Sequence, residues 1–450
     1  MKKAFINTIA CVLLFVTGAC AQLPLITSTP TPNPSVTPTF IPTSTATLKP
    51  TSTATLKPTS TPTIKPSPTY TLTPSVISLA NANKLIQLFK IGKNNIADKG
   101  WLFRIRSVWN PQENILAVNN YQSGAITLWN LDTDQPEPVD IEGKGIIDFT
   151  PDGRFLITII EGDDILISPG GSEIPNVLFQ VWDIETGELM HTLEFKKMIS
   201  PISPATSPDG KYFATGGDST PEDLNTVKVW DIQSGQLLFD FHQINFEQLA
   251  FSPDGKILAT CGARQIKIWD LTTGEMIKLL YQMGDVRSIT FSPDGRLLAS
   301  SSTFWIIDYQ MSIIIWNLET FQPSIKINEA SPHVLFSPDG RVLGSLGKSG
   351  KYNFFDKVDL WNVDTGAHLY EFFPGWEWPK TTFMEISPDG SLILTGVSRK
   401  NAQLWDVKTG RLLKSFVLSL TQEQGFFSPD KSKLAFPCDD GFVRVYGVKP

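Results

Sequence analysis

The sequence predicts an all-β architecture in which eight four-stranded antiparallel units close into a ring. Three observations carry that prediction. A Ser-Pro-Asp-Gly-type turn recurs eight times, and an apolar-Trp-Asp/Asn ending follows seven of the turns, with Val445-Tyr446-Gly447 after the last. The chain then stops one strand short of a complete eighth unit, while an unmatched apolar run, Lys84 to Ile91, stands before the first. Recurrence at a fixed period is the signature of stacked repeats that bury a core only against their neighbours.

The turns are Asn110 to Glu113, Thr150 to Gly153, Ser207 to Gly210, Ser252 to Gly255, Ser292 to Gly295, Ser337 to Gly340, Ser387 to Gly390 and Ser428 to Lys431. Pro and Asp at the centre suit a tight turn, and the closing glycine suits a residue with positive φ. Only the first and last copies lack that glycine, as terminal repeats often do. The endings centre on Trp129, Trp182, Trp230, Trp269, Trp316, Trp361, Trp405 and Tyr446. Runs such as Ile257 to Cys261 and Gln265 to Asp270 read as strands between the two signals, and Thr273-Gly274 as the next turn.

In this ordered two-part signal the chain resembles the WD-repeat β-propeller family over roughly residues 84–450. The resemblance implies an eight-bladed β-propeller closed by the N-terminal strand Lys84 to Ile91, which supplies the outer strand of the last blade. Seven blades plus a degenerate unit is the alternative, because the second unit carries a long insertion. Closure removes the unpaired sheet edge of an open array. The family's internal network of His, Asp, Ser and Trp is mostly missing. Phe241 stands where the glycine before His242 is expected, and Ala263 replaces the Asp six residues before Trp269. Apolar packing between blades is therefore expected to carry more of the stability.

The segment before the ring has a different composition. No acid precedes Asp98, and Thr and Pro dominate residues 27–74. Residues 1–20 read as an export signal: Lys2 and Lys3, an apolar run from Ala4 to Val16, then small residues. Val16 to Cys20 resembles the lipobox of bacterial lipoproteins, which would make Cys20 the site of lipid attachment, although Thr17 stands where Leu is usual. The other reading is cleavage after Ala21 at Ala19-Cys20-Ala21, giving a soluble secreted protein. Residues 21–83 read as a disordered linker with a period-8 Pro-Thr-Ser-Thr repeat. Extended polyproline-type chain at about 3.1 Å per residue could hold the ring on the order of 100 Å from its anchor.

Composition and spacing exclude several chemistries. With 41% apolar and 18% charged residues in the whole chain, the part outside the Thr/Pro tract can bury a large core. The net charge of -7 becomes -12 for residues 84–450, where 33 basic side chains face 45 acidic ones, so no general case for nucleic-acid binding exists. His191, His242, His333 and His368 are assigned to four different blades and lack metal-site spacing, so no metal is expected. Cys261 and Cys438 read as small buried hydrophobes on opposite blades that do not pair. Gly347-Lys348-Ser349 lacks the earlier glycine of a phosphate loop, no GxSxG is present, and Asn130 to Asp134 continues into Gln135 where a calcium loop needs glycine. No cofactor is implied.

The variable parts of the repeat are the more informative. From turn proline to Trp the fourth unit needs 16 residues and the second 31. Such excesses read as loops between the second and third strands, on the face that also carries the connections between blades. Glu161, Asp163, Asp164, Glu173, Asp218, Glu222 and Asp223 form an acidic sector there. Trp305, Tyr309, Tyr352, Phe354, Trp376 and Trp378, with Lys348, Arg399 and Lys400, form an aromatic and cationic sector suited to a protein, peptide or glycan. The expectation is an exported, lipid-anchored, monomeric and non-catalytic scaffold that binds an envelope partner through this face. The alternative is a glycan-processing enzyme using carboxylates at the ring mouth.

Overall fold

A computed structural model describes residues 75–92, 107–119, 125–133, 136, 138–141, 145–167, 173–194, 198–219, 226–243, 245–304, 310–328, 333–347, 357–372, 381–397, 401–418, 425–438 and 440–448. The chain divides into a unit ending at Pro58 and one running from Thr59 to Pro450, and all the described residues belong to the second.

That unit contains eight antiparallel sheets of four strands each. Seven are built from consecutive strands. Blade four is representative: inner strand Phe246–Phe251, second Ile257–Gly262, third Gln265–Asp270 and outer Met276–Tyr281. Blade eight pairs Phe426–Phe427, Lys433–Pro437 and Phe442–Gly447 with the N-terminal strand Ile86–Gly92, which lies antiparallel against Phe442–Gly447 with Ile86 opposite Gly447. The propeller is thus eight-bladed and closed by its own N-terminus, as the repeats imply.

Each Ser-Pro-Asp-Gly turn is a small hydrogen-bonded unit. In blade four the Ser252 hydroxyl donates to Asp254 Oδ1 (2.6 Å) and accepts from Ile257 N (2.9 Å), while Asp254 Oδ1 also accepts from Lys256 N. Gly255 sits at φ 69°, where a Cβ is disfavoured. The same bonds recur at Ser207, Ser292, Ser337, Ser387 and Ser428. A Cβ on Gly255 would also crowd the Asp209 carboxylate, 2.7 Å away in the preceding turn, so the glycine serves contact between blades as well as backbone shape.

The core lies between blades. Phe179 of blade two meets Phe213 of blade three with ring centroids 4.9 Å apart, and Trp230 closes the group at 5.8 Å from Phe213. At the seam, Ile91, Trp109, Leu116, Val443 and Val445 form one buried cluster across blades eight and one. Ile77 and Ala82, upstream of the Lys84 boundary read from the sequence, are buried with Phe416 of blade seven and Phe436 of blade eight. Ile77 N donates to Lys431 O (2.9 Å).

Part of the expected network is present in altered form. The indoles of Trp182, Trp269, Trp316, Trp361 and Trp405 donate to Thr158, Thr260, Ser300, Ser345 and Thr395. In blades four and five the chain extends to a glutamine. Thr260 Oγ1 donates to Gln243 Oε1 (2.9 Å) and Ser300 Oγ to Gln282 Oε1 (2.5 Å). Gln243 fills the place expected for neighbouring His242, one residue out of register.

Blade two departs from the loop expected for its insertion. Its second and third strands are prolonged to 13 and 11 residues, Phe155–Ile167 and Glu173–Asp183, with a pairing irregularity between Glu161 and Ile165. Glu161, Asp163, Asp164 and Glu173 therefore lie on strands. The run Ile165-Leu166-Ile167 opposite Glu173-Ile174-Pro175 continues a β-favouring pattern, and pairing extends as far as the partners do. Asp218 is also on a strand, Tyr212–Ser219, whereas Glu222 and Asp223 lie outside the described residues.

Candidate functional site on the connection face

The face carrying the second-to-third connections and the links between blades is best defined at blades four and five. The second and third strands of blade four are joined by the two-residue turn Ala263-Arg264, with Ala263 at φ 46°. Its carbonyls hold the link to blade five: Ala263 O accepts from Val286 N (2.6 Å) and Arg264 O from Gln282 N (3.1 Å). The two kinds of connection thus share one face at this point.

The link Tyr281–Gly284 is fixed from below. Trp316 Nε1 donates to Ser300, Ser300 to Gln282 Oε1, and Gln282 Nε2 to Ser312 O (3.1 Å). Ser302 Oγ donates to Met283 O (2.7 Å), and Gly284 turns the chain at φ 85°. The network holds the Gln282 side chain and the Met283 carbonyl, and the side chains of Tyr281 and Met283 stand in solvent. Tyr281 is 64% exposed and Met283 75% exposed. They border a shallow cavity of about 240 Å³ lined also by Arg264, Gln282 and Gly284. A polarizable thioether beside an aromatic ring on a fixed backbone can repack against a partner at little ordering cost.

The flank of this site is charged. Arg287, on the inner strand of blade five, pairs with Glu247 on the inner strand of blade four and lies 3.9 Å from Asp285. Lys267 donates to His242 O (2.6 Å), and burial lowers its pKa below the ordinary lysine value. The arrangement offers an apolar contact flanked by ion-paired side chains of blades four and five.

The residues singled out from the sequence fall elsewhere. Trp305 and Tyr309 lie between Leu297–Phe304 and Gln310–Asn317 of blade five, Lys348, Tyr352 and Phe354 between Val342–Gly347 and Lys357–Asn362 of blade six. Trp376 and Trp378 follow His368–Phe372, and Arg399 and Lys400 lie between Leu392–Val397 and Asn401–Asp406 of blade seven. All nine, and Cys20, lie outside the described residues. Tyr281 and Met283 escaped notice because their unit has the shortest connections. The available signal was glutamine at corresponding places in consecutive units, Gln243 and Gln282.

Cys261 and Cys438 are buried thiols outside any disulfide, Cys438 Sγ donating to Phe436 O (3.4 Å), and burial pushes the Cys261 pKa far up. The histidines are not distributed over four blades. His333 and His368 both belong to blade six, whose inner strand Val334–Phe336 follows His333 directly and whose outer strand begins at His368.

Comparison with known proteins agrees with this fold. A profile of the family described as eukaryotic translation initiation factor eIF2A matches residues 207–322. Over 173 residues the chain is 28% identical to apoptotic protease-activating factor 1 of Rattus norvegicus, covering 36% of this chain and 12% of that one. Over 171 residues it is 27% identical to WD repeat-containing protein SL1-17 of Schistosoma mansoni, covering 36% and 49%. Coronin-7 of Rattus norvegicus is 31% identical over 109 residues, 23% of this chain and 10% of that one. The chain therefore spans half or less of each of these relatives. Eight four-stranded blades, seven of them ending their third strand in a Trp-Asp or Trp-Asn pair, define the class as a β-propeller, and the partial match to a WD repeat-containing protein accords with repeats of that type.

Proposed function

We propose that the protein is an exported, surface-tethered, non-catalytic scaffold whose propeller binds a protein partner through the connection face. The observation that carries this reading is the link Tyr281–Gly284, held by hydrogen bonds to Ser302 and Ser312 of blade five and presenting two exposed side chains, Tyr281 and Met283. Preorganised aromatic and Met contacts are what association surfaces use, because little is lost in ordering them. By chain position the aromatic residues read from the sequence belong to connections of blades five to seven, which the same partner could use. Cys20 as lipid attachment and residues 21–83 as spacer place the ring outside the membrane within reach of envelope proteins.

Affinity capture from cell envelopes tests the reading, with the natural chain beside Tyr281→Ala/Met283→Ala and Trp305→Ala/Trp376→Ala/Trp378→Ala. Loss of the same captured protein by at least about tenfold in the first variant is the expected result. Equal retention by both variants would remove the face from consideration. The tether has a separate readout: Cys20→Ser should move the protein from the membrane to the soluble fraction, and an unchanged distribution contradicts lipid attachment.

A further inference from the structure

Among the described residues, blade six alone carries a group of three ligand-type side chains drawn together. Asp359 lies on the third strand, Lys357–Asn362, and His368 and Glu371 on the outer strand, His368–Phe372. Asp359 is directly opposite Glu371, and Trp361 is opposite His368. Three residues apart on a regular strand, His368 and Glu371 would face opposite sides of the sheet. The pairing slips between Leu360 and Trp361, leaving Leu369 as an extra residue, and this bulge turns the two side chains to the same side. One ligand-type atom from each of Asp359, His368 and Glu371 consequently falls within 4.8 Å of the others.

The bulge recurs in blades two to eight but the group does not. Opposite the Trp, four other blades have Leu189, Leu237, Met276 and Leu412, and two have Pro138 and Pro323. Blade eight has Gln87 opposite Tyr446. The Asp359 side chain is fully buried, yet its Oδ2 has no hydrogen-bond partner among the described residues, and its Oδ1 alone receives His368 Nε2 (2.9 Å) and Lys357 Nζ (3.0 Å). A buried carboxylate with an unmet oxygen is costly unless a cation or donor satisfies it. Gly347 makes the room, since a Cβ there would collide with that oxygen. His368 is oriented by edge contact with Trp361 at 4.8 Å between centroids, and it and Glu371 are open to solvent at 39% and 46% of their side-chain surface.

We propose that Asp359, His368 and Glu371 form a divalent transition-metal site of the Zn²⁺ class, with one imidazole and two carboxylate ligands and its remaining position open to solvent. One nitrogen and two oxygens on a rigid hairpin suit Zn²⁺ better than the all-oxygen cations Ca²⁺ or Mg²⁺. Asp359, Glu371 and Lys357 together carry a formal charge of -1, so the group retains anionic character with neutral imidazole. Lys357, 3.6 Å from Glu371, is the cation now shared by the carboxylates, and it competes with the metal. A metal ion would displace its flexible ammonium toward solvent.

The test is a Zn²⁺ titration of the chelator-stripped full chain against a chromophoric competitor, with His368→Ala, Glu371→Gln and Lys357→Met beside it. The natural chain should bind one Zn²⁺ that His368→Ala and Glu371→Gln each weaken by at least about tenfold, and Lys357→Met should tighten it. Circular dichroism checks that each variant keeps the β-fold, and the two ligand variants give independent readings should one not fold. Affinity and stoichiometry unchanged in both ligand variants would overturn the site, as would binding by Lys357→Met alone.

Discussion

Blade four and blade eight solve the same packing problem with different chain. Blade four takes its strands from one continuous stretch, so its pairings form locally, with a glycine at φ 69° completing its turn. Blade eight borrows its outer strand from Ile86–Gly92, across almost the whole ring. Its turn ends in Lys431, which holds positive φ (59°) without being glycine. Lys431 pairs with Asp389 of the preceding turn and donates to Ser391 (2.8 Å), while Asn114 of blade one donates to Asp430 (3.1 Å). At Lys431 backbone ease has been exchanged for contacts with blade seven. The repeat is therefore regular where neighbours are local and specialised where the chain must find its own beginning.

The largest effect should come from breaking the seam. Deleting residues 84–92 leaves Phe442–Gly447 as an open edge and uncovers Val443 and Val445. A loss on the order of 5 kcal/mol or more, with aggregation, is expected in urea unfolding. A deletion variant with an unchanged midpoint would mean that the ring does not need closure.

Trp230→Ala in the interior of blades two and three should cost about 3–5 kcal/mol by the same measurement, through lost contact with Phe179 and Phe213. A smaller cost than that of seam deletion would confirm that closure outranks any one core contact.

Glu385, on the inner strand Thr381–Ile386 of blade seven, provides a pH readout. Its carboxyl end is enclosed although its stem reaches the surface: Oε1 accepts from Phe427 N of blade eight (3.2 Å) and Oε2 is buried without a partner among the described residues. Burial pushes its pKa up to about 8, from 4.5. The folded state thus holds the proton more tightly than the unfolded one. Its contribution is complete below the unfolded value and is lost as pH rises through about 8. Unfolding midpoints should fall across this window in the natural chain, and Glu385→Gln should remove that part of the slope. An identical slope in both would assign the dependence to other groups.

Lys431 separates strain from pairing. Lys431→Met keeps the positive φ and loses Asp389, whereas Lys431→Gly relieves the backbone, so Met should be the less stable by about 1 kcal/mol in thermal unfolding. Burial works against the charge of Asp389, but the bonds from Lys431 and Ser387 outweigh it and hold the carboxyl below the usual carboxylate range. Stability from this pair should accordingly be present above the ordinary Asp pKa and be lost as pH falls through the depressed one, and Lys431→Met should flatten that acid limb. The smallest effect belongs to Met283→Ala, within about 0.5 kcal/mol of the natural chain, because the side chain is mostly in water.

Much of the fold was legible because each blade announces itself twice, by its turn and by its Trp. Closure was legible from two unmatched strands at opposite ends of the sequence. The prolonged hairpin of blade two was hidden because extra residues between strands can read as loop or as strand, and only pairing partners decide. The candidate surface was less legible. Tyr281 and Met283 lie in the plainest unit, and their role rests on exposure and on a backbone pinned by Gln282. His368 and Glu371 looked unrelated because a three-residue spacing on a strand separates faces until a bulge rejoins them.

By itself the sequence determined the all-β class, the count of eight units and the strand that closes them, because turns and strand periodicity are local properties that repetition amplifies. Tertiary structure alone decided which side chains meet across strands and blades: Gln243 in place of His242, Ile77 and Ala82 in the core, and Asp359 facing His368 and Glu371. Those juxtapositions depend on register, bulges and the packing of one sheet on the next, and a shift of one residue in any of them sends a side chain to the other face.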